Sequence, residues 1–181
     1  MAPTTSTDLK DLAIRSIHHM AIGSRSEFDD LVHPDGFTRE RRAAPPDARG
    51  TGPEALYRLC SWLRGGFDDM SYEIHDVIAE ADTVTVYCTM HGRHTRPFAF
   101  FTDGTNGDID VDAAFAPTGK TFAITESHWF HMCDGKIIEH WANRDDLGWA
   151  RQLGWVPPNP IYLLRCARMK RQIRKSLSRI Q

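Results

Sequence analysis

Three side chains late in the sequence, Trp141, Asn143 and Asp145, alternate, and residues two apart on a strand face one side. If that side is a ligand cavity, a carboxylate stands at the end of an apolar slot beside an indole and an amide. Partial desolvation would raise the proton affinity of Asp145 and make it a better base. Asn143 could then donate to it or to a substrate carbonyl. Asp145 followed by Asp146 also reads as the capping pair of a helix start, and both roles stay open. Trp141 suits a core as well as a substrate platform. Whether His128 or His131 joins the group depends on the hairpin between them. A two-residue Asp134-Gly135 turn puts His128 in phase with Trp141, whereas a three-residue loop with Gly135 as a bulge puts His131 there.

Other chemistries find little foothold. His91/His94 and His128/His131 have metal-like spacing, but residues three apart on a strand point to opposite faces. Asp108, Asp110 and Asp112 imitate a calcium loop, yet Ala113 stands where glycine is needed and Gly119 where the bidentate glutamate belongs. The sequence has no HExxH, GxGxxG, Walker or GxSxG motif, so no metal site is expected. Cys60, Cys88, Cys133 and Cys166 are widely spaced and read as reduced thiols of a cytoplasmic protein.

The elements that must position these residues follow from periodicity. Leu9, Leu12, Ile17 and Met20 recur at helical spacing before Gly23. Ser26 to Val32 is a short acidic helix with serine at its cap. Gly52-Pro53-Glu54 opens a third helix, whose stripe is Leu56, Leu59, Cys60, Leu63 and Phe67 and which frays at Gly65-Gly66. Between these helices, Arg39 to Gly50 reads as a loop. Strands follow at Tyr72–Ala79, Thr83–His91, Lys120–Met132 and Lys136–Arg144, with Thr102 to Pro117 as an irregular acidic loop. A helix over Asp146–Leu153 closes the body. Helices followed by an antiparallel sheet form the α+β pattern, which tends to enclose a cavity for a small ligand.

With 181 residues, 41% of them hydrophobic and 25% charged, the chain is one globular domain. Residues 1–158 read as that domain and 159–181 as a basic amphipathic helix or tail. Seven basic residues and no acidic one follow from Arg165 onward, leaving 15 basic against 24 acidic before it. Met169, Ile173, Leu177 and Ile180 share one face of the tail. Its charge suits a membrane surface or nucleic acid, but docking on the acidic body or on a second subunit is preferred, because a short charged segment binds weakly alone. No nucleic-acid partner is expected. The first residues, MAPTTSTDLKDLAIR, lack the pattern of a secretory signal.

The stretches PTGK (Pro117 to Lys120), DGKIIEHW (Asp134 to Trp141), Asp145 with Leu147-Gly148, and QLG (Gln152 to Gly154) together resemble the SnoaL-like polyketide cyclase (ester cyclase) family. GRHTRPF (Gly92 to Phe98) is similar to its GTHTG-type segment, and GPEAL (Gly52 to Leu56) to its third helix. The resemblance spans about Gly50 to Trp155 in order and spacing. It implies a cone-shaped α+β barrel of the nuclear-transport-factor-2-like type, usually a homo-oligomer (dimer or tetramer). It also implies a small hydrophobic or aromatic substrate and no metal or organic cofactor. In the family's cyclases the aspartate at the position of Asp145 is the acid/base of an intramolecular aldol condensation, and a histidine at that of His131 assists. The expected substrate-contacting set is Trp141, Asn143, His128, Trp129, His94 and Thr38, with the two tryptophans as an aromatic wall. Departures are Thr38 in place of asparagine, Arg96 in place of glycine, the longer acidic loop and the basic tail.

The leading expectation is a cofactor-independent cyclase or isomerase acting on a β-dicarbonyl or polyketide-like molecule. The alternatives are a non-catalytic binding protein of the same fold, or an epoxide hydrolase or dehydratase. Epoxide hydrolysis is less favoured, because Arg144 should point away from Asp145 on a regular strand.

Overall fold

The computed structural model describes residues 5–105 and 107–179. Met1–Thr4, Asn106, Ile180 and Gln181, the last two from the expected tail helix, lie outside the described residues. In chain order the elements are α1 (Ser6–Ile22), α2 (Glu27–Leu31), β1 (Val32–Thr38), α3 (Gly52–Gly66), β2 (Phe67–Glu80), β3 (Thr83–His94), β4 (Phe98–Asp103), β5 (Ile109–Phe115), β6 (Thr121–Cys133), β7 (Lys136–Arg144), α4 (Asp146–Leu153) and α5 (Pro160–Leu177).

Thr5 starts α1 with a capping box. Its hydroxyl accepts from the Asp8 N–H at 3.2 Å, and the Asp8 carboxylate accepts from the Thr5 N–H at 2.9 Å. Leu9, Leu12, Ile17 and Met20 then turn inward as their spacing requires. Val84, Val86, Cys88 and Met90 of β3 meet them together with Phe122, Ile124, Phe130 and Met132 of β6, all buried. The result is helices packed on a curved mixed sheet, the α+β arrangement expected.

Two expectations about the sheet are corrected. It is mixed rather than antiparallel: five strands lie in the order β1-β7-β6-β3-β2, and β1 runs parallel to β7. Pro34 and Gly36 disguise β1 as a turn. The strand absorbs them in a register shift between the Val32 and Phe37 pairings. Residues 102–117 are not irregular throughout, because β4 and β5 form a separate two-stranded antiparallel ribbon there.

That ribbon is where the basic tail docks. Asn159 caps α5 by accepting the Tyr162 N–H at 2.8 Å, and the Tyr162 hydroxyl donates to the Ala116 carbonyl at 3.1 Å. Further along, Arg174 grips both carboxylate oxygens of Asp110 at 2.6 Å. Ile173 and Leu177 pack on Ala99, Val111 and Ala114 as a small second core. Docking on the acidic body is thus what the structure shows. Ile161 and Leu164 remain largely exposed on the helix's opposite side.

Candidate active site

The face presented by β7 is decided at its start. Asp134 and Gly135, at φ 51° and 72°, make a two-residue turn that pairs Cys133 with Lys136 and Met132 with Ile137. The register then slips, so that His131 pairs with Glu139 and Ile138 is the extra residue of a bulge. Ile137 points into the core, and on a regular strand every second residue after it would do the same. The bulge reverses the phase. His140, Ala142 and Arg144 turn inward, while Glu139, Trp141 and Asn143 turn outward.

Six of the expected site residues lie off the cavity lining. Asp145 is exposed and caps α4, accepting the Gly148 N–H at 2.8 Å. Asn143 is exposed beside it on the outer face. Trp129 and Trp141 do stack, with ring centres 5.9 Å apart, but outside the cavity, and Arg39 lies 3.8 Å over Trp141. His131 shares that outer face, half-exposed, with Nε2 at 3.4 Å from Asp82. His94 is fully buried between Phe67 and Trp155, away from the cavity lining. Thr38 and His128 alone stand on the cavity wall.

The cavity lies between the sheet, α1, α3 and β4. Its apolar side is formed by Met20, Leu59, Cys60, Leu63, Trp62 and Phe100. Its volume is about 80 Å³, below the ~300–1,000 Å³ of sites that enclose a drug-sized ligand. The opposite wall is a row of polar groups. Glu126 Oε1 lies 2.8 Å from His128 Nε2, and His128 Nδ1 lies 2.9 Å from His140 Nε2. His140 Nδ1 then lies 3.3 Å from Thr38 Oγ1. The Thr38 hydroxyl donates to Glu40 Oε2 at 2.6 Å, and the Ala142 N–H donates to Glu40 Oε1 at 2.9 Å. Glu126, His128, His140 and Thr38 are each no more than 5% exposed.

Burial is the main reason that His140 has its pKa far below the ordinary histidine range, helped by His128 and Arg144 nearby. The ring is therefore neutral. Burial likewise raises Tyr72 well above the ordinary phenol range, aided by the Glu126 charge. Its hydroxyl, also on the cavity wall, donates only to the weak thioether acceptor Met90 Sδ at 3.4 Å.

Cys88, Glu126 and His128 offer ligand atoms within 4.8 Å of one another. As they stand they do not fit an ion. Tetrahedral ligands at 2.0–2.1 Å from zinc lie about 3.3 Å apart, whereas the Glu126 and His128 atoms are hydrogen-bonded at 2.8 Å. Burial also pushes the Cys88 thiol up to about 12, with the Glu126 charge adding to it.

Glu126, His140, Glu40 and Arg144 escaped the sequence reading. A signal existed for the first: Ile124, Glu126, His128, Phe130 and Met132 share one strand face, so an acid and an imidazole sit in an otherwise apolar row. His140 was hidden by the bulge.

The chain matches the SnoaL-like polyketide cyclase family over residues 20–153. It belongs to that family. It is 27% identical over 134 residues to nogalonic acid methyl ester cyclase of Streptomyces nogalater, covering 73% of this chain and 87% of the relative. It is 25% identical over 151 residues to aklanonic acid methyl ester cyclase DnrD of Streptomyces peucetius, covering 83% and 93%. Among solved structures, TsrD from Streptomyces laurentii superposes with a TM-score of 0.64 at 20% identity, covering 84% of this chain and 98% of that one. A SnoaL-like polyketide cyclase from Agrobacterium tumefaciens superposes with a TM-score of 0.58 at 13% identity, covering 81% and 98%. These likenesses show the fold, and family membership makes the chain an enzyme. Among the described residues no helix is long and apolar enough to cross a membrane.

Proposed function

We propose that this SnoaL-like family member closes a ring on a polyketide-like β-dicarbonyl substrate by an intramolecular aldol reaction without a cofactor, with Glu126 as its acid/base. One observation carries this reading. Glu126 is the buried carboxylate on the wall of an apolar cavity, backed by an imidazole at 2.8 Å. Glu126 takes the proton between the two carbonyls, the carbanion attacks a third carbonyl to form the C–C bond, and the same proton returns to the new alkoxide. Atoms and charge balance without a co-reactant.

A proton flanked by two carbonyls is already fairly acidic, so the protein supplies orientation and stabilisation of the enolate oxygen. The Tyr72 phenol, kept neutral and weakly engaged, and the Arg144 guanidinium are the donors on hand. A multi-ring body requires Trp62, Leu63 and Phe100 to move aside. The outward Trp129–Trp141 stack supports reading the protein as a homo-oligomer joined through the open sheet face.

The test follows deuterium uptake at the α-carbon of β-keto esters and ring closure of polyketide-like methyl esters. Glu126→Gln should lose about 10²–10⁴-fold in rate. Asp145→Asn keeps a capping side chain and should keep the rate. The reverse pattern would return the chemistry to Asp145, and binding without conversion would make the protein a carrier.

A further inference from the structure

The polar wall has more contacts than its neutral groups have protons. Glu126, His128, His140, Thr38 and Glu40 form a row joined by four contacts, at 2.8, 2.9, 3.3 and 2.6 Å. A contact between two such atoms is a hydrogen bond only if one proton lies in it; two lone pairs facing each other repel. With both glutamates ionised and both imidazoles neutral, the row holds one proton on each ring and one on the threonine. One contact is then left empty.

The direction of the bonds locates the shortfall. Glu40 accepts the Ala142 N–H on one oxygen and the Thr38 hydroxyl on the other. Thr38 has no second proton, so His140 Nδ1–H donates to Thr38. His140 Nε2 is then the acceptor, and His128 Nδ1–H donates to it. The empty contact falls between His128 Nε2 and Glu126 Oε1, next to the cavity.

We infer that a fourth proton resides in this row, shared between His128 and Glu126, and that Thr38 and His140 form a relay along which it moves between Glu126 and Glu40. The inference rests on the reading of Glu126 as the acid/base. The row is complete in two mirror arrangements. In one, the acid proton is on Glu126 and every bond points toward Glu40. In the other, each group has passed one proton along, Glu40 is the acid, and every bond points back. Four protons are bound in both, so no contact is lost in passing. Glu126 thereby becomes base or acid with no water entering the apolar cavity. Glu40, half-buried on the turn after β1, is the end nearer solvent. Thr38, His140 and Glu40 act on the reaction through Glu126 and are positioning residues. Cys88, Tyr72 and Arg144 are the other titratable or charged groups facing the two rings. The first two stay uncharged thiol and phenol at neutral pH, raised mainly by burial, and Arg144 adds a fixed positive charge.

The test needs no substrate. In the full chain labelled with ¹⁵N-histidine, ring nitrogens read through carbon-bound protons should show His140 protonated at Nδ1 and unprotonated at Nε2 at pH 7. His128 should be protonated at Nδ1, with a fourth proton at or near Nε2. Thr38→Val removes the acceptor of His140 Nδ1–H, so His140 should change to the Nε2–H tautomer, and Thr38→Ser should restore the original one. With substrate, Thr38→Val should slow exchange of the α-proton with solvent by roughly ten- to a hundredfold, while Thr38→Ser does not. His140 found as the Nε2–H tautomer would place the proton at the Glu40 end of the row, and unchanged tautomers in Thr38→Val would overturn the relay. Retained tautomers with an active Glu126→Gln would instead remove only the catalytic reading.

Discussion

Acidification from pH 7 to pH 5 should weaken the fold through one ring, His94. It is wholly buried, tilted against Phe67 and edge-on to Trp155, with ring centres 5.2 and 5.3 Å away. Its Nε2 has no hydrogen-bond partner among the described residues. A cation there would have neither water nor a counter-charge, and burial lowers the His94 pKa to about 4 from 6.5. The unfolded chain therefore binds a proton at higher pH than the folded one. Stability from this ring is whole above pH 6.5 and falls as the pH drops toward 4. Linkage between these two values puts the loss between pH 7 and pH 5 at about 2 kcal/mol. That corresponds to roughly 4–8 °C in Tm for a chain of this size. The assay is urea unfolding at the two pH values for wild type and His94→Leu. His140 and the carboxylates titrate in both proteins, so the difference between them isolates the ring. The wild type should lose about 2 kcal/mol more than the variant. Equal losses would refute the argument that His94 is held neutral.

Two other outcomes are open to direct measurement. Asp145→Ala should destabilise the protein by about 1 kcal/mol in urea melts, because it strips the cap from α4, whereas Asp145→Asn should be close to neutral. Burial holds the Cys60 and Cys88 thiols up at about 12. A thiol-disulfide reagent at pH 8 should therefore modify exposed Cys133 first and half-buried Cys166 next, and reach the other two only on unfolding. Rapid labelling of all four would show that the cavity wall opens readily.

Periodicity located most of the scaffold because the helices and long strands repeat a simple pattern. Leu9, Leu12, Ile17 and Met20 of α1 and Val84, Val86 and Cys88 of β3 lie on the faces that their spacing assigns. The site was harder to read, since it turns on one extra residue. Alternation put Trp141, Asn143 and Asp145 together, and they are together, but Ile138 rotates the strand and sends them outward. Bulges are set by pairing, which composition does not reveal. β5 was a different case. Ile109-Asp110-Val111-Asp112 alternates plainly, but the aspartates read as a loop until α5 supplied Arg174 for one of them. The family resemblance named the right family, and the structure sets Trp129, His131, Trp141 and Asn143 on the outer face of the sheet.

The contact between α5 and the β4–β5 ribbon binds two segments of the chain into one unit. The acidic excursion carries carbonyls and a carboxylate that α5 holds, and α5 carries the apolar residues that keep Ala99, Val111 and Ala114 from water. Neither is sound without the other. A lineage that shed the tail would bare a short, greasy two-stranded edge, the kind of surface that seeds strand-to-strand aggregation. One that trimmed the excursion would leave a cationic helix with no seat. The two segments should therefore be inherited or lost together, and an expression boundary placed after Pro158 would cut through a folded unit rather than beside one.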